Sequence, residues 1–258
     1  MRPRVKRGRH IVPSKRSGDR RTRRLVPHHR SPYNGVQMAE SFRAGLISGT
    51  GAEGLGIALR LAAAGHTLAL GSRSAERGRQ KALEINQQLG EERIQGMDNH
   101  ELVASCEMLF LTVPFVHAEK VIEEYQRDFW EDQILVDVTV PVVFNKGPRM
   151  LELGGKSGAE HLQSLLSAGP TVVGAFKTLS SHSLCEMDSA LDCDEFVCSD
   201  SQPAKERVLE VVSQIPCLRW IDAGPLRYCR SLEAITLLEI GLNRRYKVKG
   251  SRVQMVGL

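Results

Sequence analysis

The 258-residue sequence lacks the features that would place it among membrane, disulfide-rich or zinc-binding proteins. It has no apolar run of about eighteen residues, the length needed to span a membrane as a helix. Its six cysteines include no Cys-x-x-Cys pair, the spacing typical of zinc sites and redox dithiols. A chain of this length can bury enough apolar surface to fold without disulfides. We therefore expect free thiols, no metal site, no membrane span and a cytoplasmic location.

Acidic residues are scarce at the N-terminus. Residues 1–37 contain twelve Lys or Arg and one acid, Asp19, whereas the rest of the chain has 23 basic and 29 acidic residues. This composition predicts a disordered basic tail over 1–42. Two interpretations of the tail stay open: a nucleic-acid tether, or a stretch preceding a true start at Met38. The mildly acidic remainder argues against nucleic-acid binding by the folded part, since that affinity grows with basic contacts.

Apolar runs alternate with helical patterns from Arg43 onward, which is typical of βαβ units around a mostly parallel sheet. The sequence predicts an α/β fold with a Rossmann-type domain over 43–145. Glycines and prolines are frequent from 146 to 157 and predict a mobile connection into a second, smaller C-terminal α/β (α+β) domain over 146–258. The predicted strands cover 44–48, 67–70, 108–113, 134–139, 171–176, 195–198 and 218–221, and the predicted helices cover 55–64, 75–89, 117–125, 203–215 and 232–242.

A glycine-rich turn follows the first predicted strand. The segment Gly49-Thr50-Gly51-Ala52-Glu53-Gly54 matches the pattern G-x-G-x-x-G where a strand gives way to a helix. The first glycine permits the tight turn, the second lets a pyrophosphate approach the backbone, and the third lets helix and strand pack closely. In this context the motif predicts a dinucleotide-binding site, with the pyrophosphate at the positive end of the helix.

The end of the second predicted strand distinguishes between the two nicotinamide cofactors. An NAD site usually places an acidic residue here to hold the ribose 2′-hydroxyl. This chain instead has Gly71-Ser72-Arg73, with Arg77 one helical turn further on. Guanidinium and hydroxyl groups suit a 2′-phosphate, which a carboxylate would repel. The sequence therefore favours NADP(H) over NAD(H).

Together these motifs and several later ones resemble the NADPH-dependent F420 reductases, also called F420H2:NADP oxidoreductases. The resemblance runs from about Arg43 to the C-terminus. Its specificity comes from the combination, because the glycine loop alone is generic. The segments that carry it are Gly49-Thr50-Gly51, Gly65-His66, Gly71-Ser72-Arg73, Leu111-Thr112-Val113-Pro114 with His117, Asp200, and Asp222-Ala223-Gly224-Pro225-Leu226.

The resemblance implies hydride transfer between NADP(H) and the deazaflavin coenzyme F420, in a cleft between the two domains of a homodimeric enzyme. It also implies which residues contact the nucleotide. These are Thr50, Gly51, Ala52 and Glu53 at the pyrophosphate, Ser72, Arg73 and Arg77 at the 2′-phosphate, Val113, His117 and Thr139 beside the nicotinamide, and the Ala175 backbone at the carboxamide. The acidic Glu53 departs from what a pyrophosphate site needs, unless its side chain points to solvent.

No general acid or base is predicted, because hydride transfer depends chiefly on stacking the two rings and excluding water. Lys177 and His182 are either groups that stabilise negative charge on the reduced ring or exposed loop residues. The basic C-terminal residues from Arg244 to Arg252 are either a docking site for the acidic tail of F420 or a solvated end or subunit contact. The competing functions are another small NADPH-dependent reductase (imine, ketone or ferric) and a non-catalytic NADP(H) sensor.

Overall fold

The computed structural model describes residues 44–166 and 169–258. The tail predicted over 1–42, with its possible contact to nucleic acid, lies outside the described residues. Within them, the strands β1 to β10 cover Ala44–Ile47, Leu68–Ser72, Ile94–Asp98, Met108–Leu111, Ile134–Asp137, Val142–Phe144, Pro148–Met150, Thr171–Gly174, Cys193–Cys198 and Leu218–Gly224. The helices α1 to α8 cover Ala52–Ala63, Ala75–Leu89, Asn99–Ser105, Phe115–Tyr125, Gly158–Leu165, Ser181–Cys185, Gln202–Val212 and Cys229–Tyr246.

Eight of the strands form one sheet in the order β10-β9-β8-β5-β4-β1-β2-β3. The six strands from β8 to β3 run parallel to their neighbours. β9 is antiparallel to β8, and β10 pairs parallel with β9. Every residue of β1, β4 and β5 is buried, as expected for apolar strands covered by helices on both faces. The predicted Rossmann-type α/β fold is confirmed.

The chain changes direction across the sheet between β1 and β4. From β1 it moves outward through β2 to β3, and α3 then returns it to β4 on the other side of β1. In such sheets ligands bind at this switch point, in the crevice beyond the carboxyl ends of the strands. The glycine loop after β1 therefore lies where the fold itself favours a binding cleft.

Helix α2 packs unusually close to the edge strand β3. A Cβ atom added to Gly96 would lie 2.2 Å from the Gly78 backbone, and one added to Gly78 would lie 2.6 Å from the Met97 oxygen. Glycine on both elements lets their backbones approach, which seats the start of α2 against the end of β2.

The structure also contains elements that the sequence pattern did not predict. These are β3, α3, the antiparallel hairpin of β6 and β7, α5 and α6. Strand β7 occupies part of the predicted connection over 146–157. Strands on both sides of residue 145 belong to the same sheet, since β5 pairs with β8. The division into domains at 145/146 stays a prediction.

Candidate functional site

The glycine loop is held in place by a buried asparagine. Ser48, the first residue after β1, has a positive φ of 55°. Its N–H donates to Asn99 Oδ1 at 3.0 Å, and Asn99 Nδ2 donates to Ser48 Oγ at 3.1 Å. Asn99 is 2% exposed, and its Nδ2 also donates to Tyr125 Oη. These hydrogen bonds stabilise the left-handed turn that leads into Gly49.

The glycines of the loop differ in what surrounds them. A Cβ atom at Gly54 would lie 2.6 Å from the Gly49 Cα, so this glycine allows helix α1 to pack on the turn. Around Gly51, by contrast, no atom of the described residues lies within 4 Å of an added Cβ. Gly51 is also the N-cap residue of α1, so it leaves an open face beside the helix N-terminus. This is the arrangement that a pyrophosphate site requires.

Ser72, Arg73 and Arg77 lie together where β2 gives way to α2. Ser72 is the buried last residue of β2, whereas both arginines are exposed. Across residues 44–166 and 169–258, neither guanidinium has a hydrogen bond or ion pair. Ser74 is the N-cap residue of α2, and its side chain makes no capping hydrogen bond. Two unpaired cations beside a helix N-terminus provide donors for a phosphate group.

A cleft of about 600 Å³ opens at the carboxyl ends of the strands. Five predicted site residues line it: Gly51, Ala52, Glu53, Val113 and Thr139. The other side of the cleft is lined by residues 176–181, which follow β8, and by part of helix α8. The hairpin of β6 and β7 borders the cleft through Val142 and Phe144, of which Phe144 is 70% exposed. The other residues that line the cleft are Thr112, Pro114, Phe115, Val138, Val140, Phe176, Lys177, Thr178, Leu179, Ser180, Ser181, Thr236, Glu239, Ile240, Asn243 and Ser251.

Lys177 forms a buried charge cluster beneath the cleft. Its Nζ donates to Asp137 Oδ2 at 2.8 Å and to the Thr139 carbonyl at 2.6 Å, and it lies 3.3 Å from Glu233 Oε1. Burial alone would lower the pKa of Lys177, but the two carboxylates raise it overall. Because the side chain is fully buried, the interpretation of Lys177 as an exposed loop residue is wrong.

The same cluster fixes Thr139 at the cleft wall. Thr139 donates to Asp137 Oδ1 from both its backbone N–H, at 2.9 Å, and its hydroxyl, at 2.6 Å. Its carbonyl is taken by Lys177. With three of its polar groups engaged, Thr139 has a single defined orientation beside the predicted nicotinamide position.

Glu53 does not point to solvent. Its Oε1 is buried and has no hydrogen-bond partner in the part of the chain that the structure describes. Burial, together with the charge of Glu195, raises the pKa of Glu53 to about 8. The raised pKa favours the neutral acid form of Glu53, which repels a neighbouring pyrophosphate less than a carboxylate would.

Two further carboxyl groups share this environment. Glu239 of α8 lines the cleft, is 8% exposed, and has an Oε1 without a partner among the described residues. Burial and the charge of Glu195 raise the pKa of Glu239 to about 8. Glu195 itself is fully buried and accepts hydrogen bonds from the Thr178 N–H and hydroxyl. Burial raises the pKa of Glu195 to about 7, although these hydrogen bonds oppose the shift.

Three of the remaining predicted residues lie outside the lining of this cleft. His117 is exposed on the first turn of α4. Ala175 is fully buried, and its N–H already donates to the Asp137 carbonyl at 3.2 Å. His182 is exposed as predicted for a loop residue, but it lies on helix α6, where its Nε2 is 3.1 Å from Glu186 Oε1. The contacts assigned to His117, Ala175 and Thr50 stay predictions.

The basic C-terminal residues fall into two groups. Arg252 donates to the Ala190 and Leu191 carbonyls and so fastens the C-terminal segment to the body of the fold. Arg244, Arg245, Lys247 and Lys249 are exposed. Asn243 and Ser251, on either side of them in the chain, line the cleft. Both interpretations of these four basic residues therefore stay open.

Comparison with known proteins identifies the family. The family model described as "NADP oxidoreductase coenzyme F420-dependent" matches residues 43–141. The F420-dependent NADP reductase of Methanothermobacter thermautotrophicus is 35% identical over 219 residues, which cover 83% of this chain and 94% of that protein. This chain belongs to the F420-dependent NADP reductase family. A second F420-dependent NADP reductase, from Methanocaldococcus jannaschii, is 34% identical over 83% of this chain and 97% of its own length.

Solved structures extend the comparison of the fold beyond the F420-dependent NADP reductase family. A putative F420-dependent NADP reductase from an Arthrobacter species superposes with a TM-score of 0.70 at 21% identity, covering 84% of this chain and all of that one. Pyrroline carboxylate reductase of Plasmodium falciparum, solved with NADP bound, gives a TM-score of 0.52 at 14% identity, covering 81% of this chain and 65% of that one. At these identities the likeness concerns the fold alone.

Sequence reasoning missed several residues that build the site. Asp137 carried a usable signal, because it is a single acid ending the apolar strand Ile134–Asp137 at the ligand-binding edge of the sheet. Asn99 and Glu239 carried none. Each is a polar residue on a helix, and only the packing of that helix places it beside the glycine loop or in the cleft.

Proposed function

We propose that this protein transfers a hydride directly between NADP(H) and coenzyme F420, in the reversible reaction NADPH + H⁺ + oxidised F420 = NADP⁺ + reduced F420. The observation that carries the proposal is the cleft of about 600 Å³. It begins at a glycine loop with the open face of a dinucleotide site and extends past it to a second wall formed by residues 176–181 and α8. Relatives named as F420-dependent NADP reductases support the same activity.

The residues present fit NADP(H) at one side of this cleft. Gly51 and Ala52 offer backbone N–H groups at the start of α1, while Ser72, Arg73 and Arg77 provide a hydroxyl and two cations for the 2′-phosphate. Val113 and Thr139 border the position where the nicotinamide ring would lie. When both substrates are bound, their rings supply the hydride chemistry. The protein's part is then to stack the rings and exclude water.

The first test is to mix purified protein with NADPH and oxidised F420 and follow the deazaflavin absorbance. We expect the band to bleach with NADPH and to change little with NADH. Binding of NADPH without bleaching would contradict the proposal and point to another acceptor or to a sensor.

The second test concerns cofactor preference. Arg73→Ala should weaken NADPH binding by about 1.5–3 kcal/mol, roughly 10- to 150-fold, because a charge-assisted contact to the 2′-phosphate is lost. Binding of NADH, which has no such phosphate, should change little. Isothermal titration with both nucleotides measures the two effects.

Arg79→Ala is the matched control for this test. Arg79 is two residues beyond Arg77 on α2, and so points to about the opposite side of the helix, yet its loss changes the net charge equally. Equal weakening of both nucleotides by Arg73→Ala, or the same effect from Arg79→Ala, would refute the role of Arg73.

We further propose that the protein is a homodimer in the cytoplasm. An apolar stripe on α8, formed by Leu238, Leu242 and Tyr246 at four-residue spacing, is exposed on the side of the helix away from the cleft. A second copy of the chain would cover it. The six cysteines are all free thiols, which is the usual state in a reducing compartment.

A further inference from the structure

The cleft is lined by two carboxyl groups that have no part in ring stacking or water exclusion. Glu53 reaches it from α1 and Glu239 from α8, and each has a buried Oε1 without a hydrogen-bond partner among the described residues. An ionised carboxylate without donors or a counter-ion is costly to bury. Such a group is more stable as the neutral acid, with an O–H bond whose proton can be given away.

The surroundings of these carboxyl groups supply negative rather than positive charge. Glu195 of β9 is close enough to both carboxyl groups that its negative charge raises the pKa of each. Lys177 directly precedes Thr178, which donates hydrogen bonds to Glu195. The Lys177 amine, however, is bound to Asp137 and Glu233. Two thiols also lie nearby, Cys185 of α6 beside Glu53 and Cys193 of β9 beside Glu195, and the cations closest to these thiols are Arg60 and Arg252. The described residues contain no group of three or more His, Cys, Asp or Glu arranged to hold a metal ion.

The position of Glu239 separates it from Glu53. Glu53 belongs to the glycine loop, where the nucleotide is expected. Glu239 lies on α8 with Thr236 and Asn243, on the wall left for the second substrate. Resting on the proposed function, we infer that Glu239 is the catalytic acid and base that exchanges a proton with the deazaflavin in each hydride transfer, and that Glu195 is a positioning residue that keeps Glu239 protonated.

The step balances in atoms and charge. A hydride carries two electrons from NADPH, which leaves NADP⁺, and its addition to a neutral ring brings one negative charge that one proton cancels. Glu239 gives that proton, so its O–H bond breaks and an N–H bond forms on the ring. The H⁺ of the overall reaction, taken up from solvent, then restores the proton on the Glu239 carboxylate. In the opposite direction the Glu239 carboxylate accepts the proton as the hydride leaves for NADP⁺.

The two directions therefore have opposite pH dependence. Reduction of F420 requires protonated Glu239, so its rate should fall as the pH rises through about 8. Oxidation of reduced F420 requires the carboxylate, so its rate should rise through the same range. Single-turnover measurements, in which product release does not contribute, isolate this step.

The decisive variant is Glu239→Gln, which keeps size and shape but cannot release a proton. We expect the single-turnover rate of F420 reduction to fall by about 100-fold, a typical contribution of general acid catalysis, and to lose its pH dependence. NADPH affinity should stay unchanged. Glu210→Gln, an exposed position on α7, is the matched control and should behave as the unaltered protein does.

A measurement without substrate tests the protonation directly. Infrared spectra of the unaltered protein should show the C=O band of protonated carboxyl groups disappearing as the pH rises through about 8, and Glu239→Gln should lack part of that change. The inference is overturned if no such band titrates there. It is also overturned if Glu239→Gln transfers hydride at an unaltered rate and pH profile. A protein that never bleaches F420 would instead refute the proposed function, and the proton transfer with it, while its infrared titration remained in place.

Discussion

At the scale of single residues, the site depends on buried polar groups whose partners come from distant parts of the chain. Lys177 bonds to Asp137, 40 residues earlier, and lies close to Glu233, on α8. A buried ion cluster adds little net stability as a whole, because desolvation offsets the attraction. Removal of one member of the cluster is strongly destabilising, since it leaves the remaining charges buried without a counter-ion.

Lys177→Met is therefore expected to lower the free energy of unfolding by about 3–5 kcal/mol. The reason is that Asp137 and Glu233, whose side chains are 0% and 1% exposed, would remain buried without the cation that compensates their charge. Urea denaturation at neutral pH measures the loss, and Asp137→Asn added to the variant should recover part of it.

Lys205→Met provides the comparison for that experiment. Lys205 is as deeply buried as a core residue, but its partner Asp222, at 2.7 Å, is 39% exposed and can be solvated when the lysine is lost. We expect a cost below about 1 kcal/mol there. Similar losses for both lysines would contradict the account of the Lys177 cluster.

At the scale of elements, Gly51 and Gly54 have different roles at the start of α1, although they are only three residues apart. Gly54→Ala should destabilise the protein, because the added Cβ would lie 2.6 Å from the Gly49 backbone. Gly51→Ala should leave stability almost unchanged, because its Cβ has open space in the described structure, yet it should weaken NADPH binding by about tenfold or more by obstructing the pyrophosphate.

Thermal unfolding and NADPH titration of both variants separate folding from binding. If Gly51→Ala bound NADPH as tightly as the unaltered protein, the glycine loop would not hold the pyrophosphate.

The elements themselves could be predicted from the sequence wherever the hydrophobic pattern was strong. β1, β4 and β5 are continuous apolar runs, and their bounds were predicted to within about two residues. β3 was missed because Ile94–Asp98 contains a glutamine and a glycine, and that glycine is needed for α2 to approach. Helix α8 was predicted to begin at Leu232, whereas it begins at Cys229, because its first turn carries little periodic signal.

The residues of the site likewise divide into those that local sequence predicts and those that it does not. The glycine loop and the pair of arginines follow from local sequence, since a turn and the start of a helix determine their positions. The carboxyl groups of Glu53, Glu195 and Glu239 could not be brought together by any local pattern. Glu53 and Glu239 line one cleft only because the fold brings α1 and α8 together there, and Glu195 raises the pKa of both from β9, so these raised pKa values are a property of tertiary structure.

At the scale of the whole molecule, helix α8 has one side that lines the cleft and another that carries exposed apolar residues. Glu239, Ile240 and Asn243 face the cleft, while Leu238 and Tyr246 belong to the exposed apolar stripe that we propose a second copy covers. No described helix is long and apolar enough to cross a membrane. An apolar stripe on a helix that also borders the cleft would place the dimer contact one helix width from the substrates.

Leu238→Glu should convert the dimer to a monomer without unfolding it, because Leu238 is 61% exposed in the single chain and burying a charge at an interface is costly. Sedimentation velocity should then give the mass of one chain instead of two. Leu83→Glu, at a comparably exposed leucine on α2, should leave the mass unchanged. A protein that sediments as a monomer before any substitution would refute the homodimer.

Part of each wall of the cleft follows a strand of one hydrogen-bonded sheet, in which β5 pairs directly with β8. The nucleotide wall follows β1, β4 and β5, and residues 176–181 of the opposite wall follow β8. Hydride transfer requires the two reacting carbons to approach to about 3–3.5 Å. Because these parts of the two walls are joined through the hydrogen bonds of neighbouring strands, we expect their separation to change little when substrates bind. The approach of the two rings would then depend on how each substrate is oriented in the cleft, and not on closure of one wall against the other.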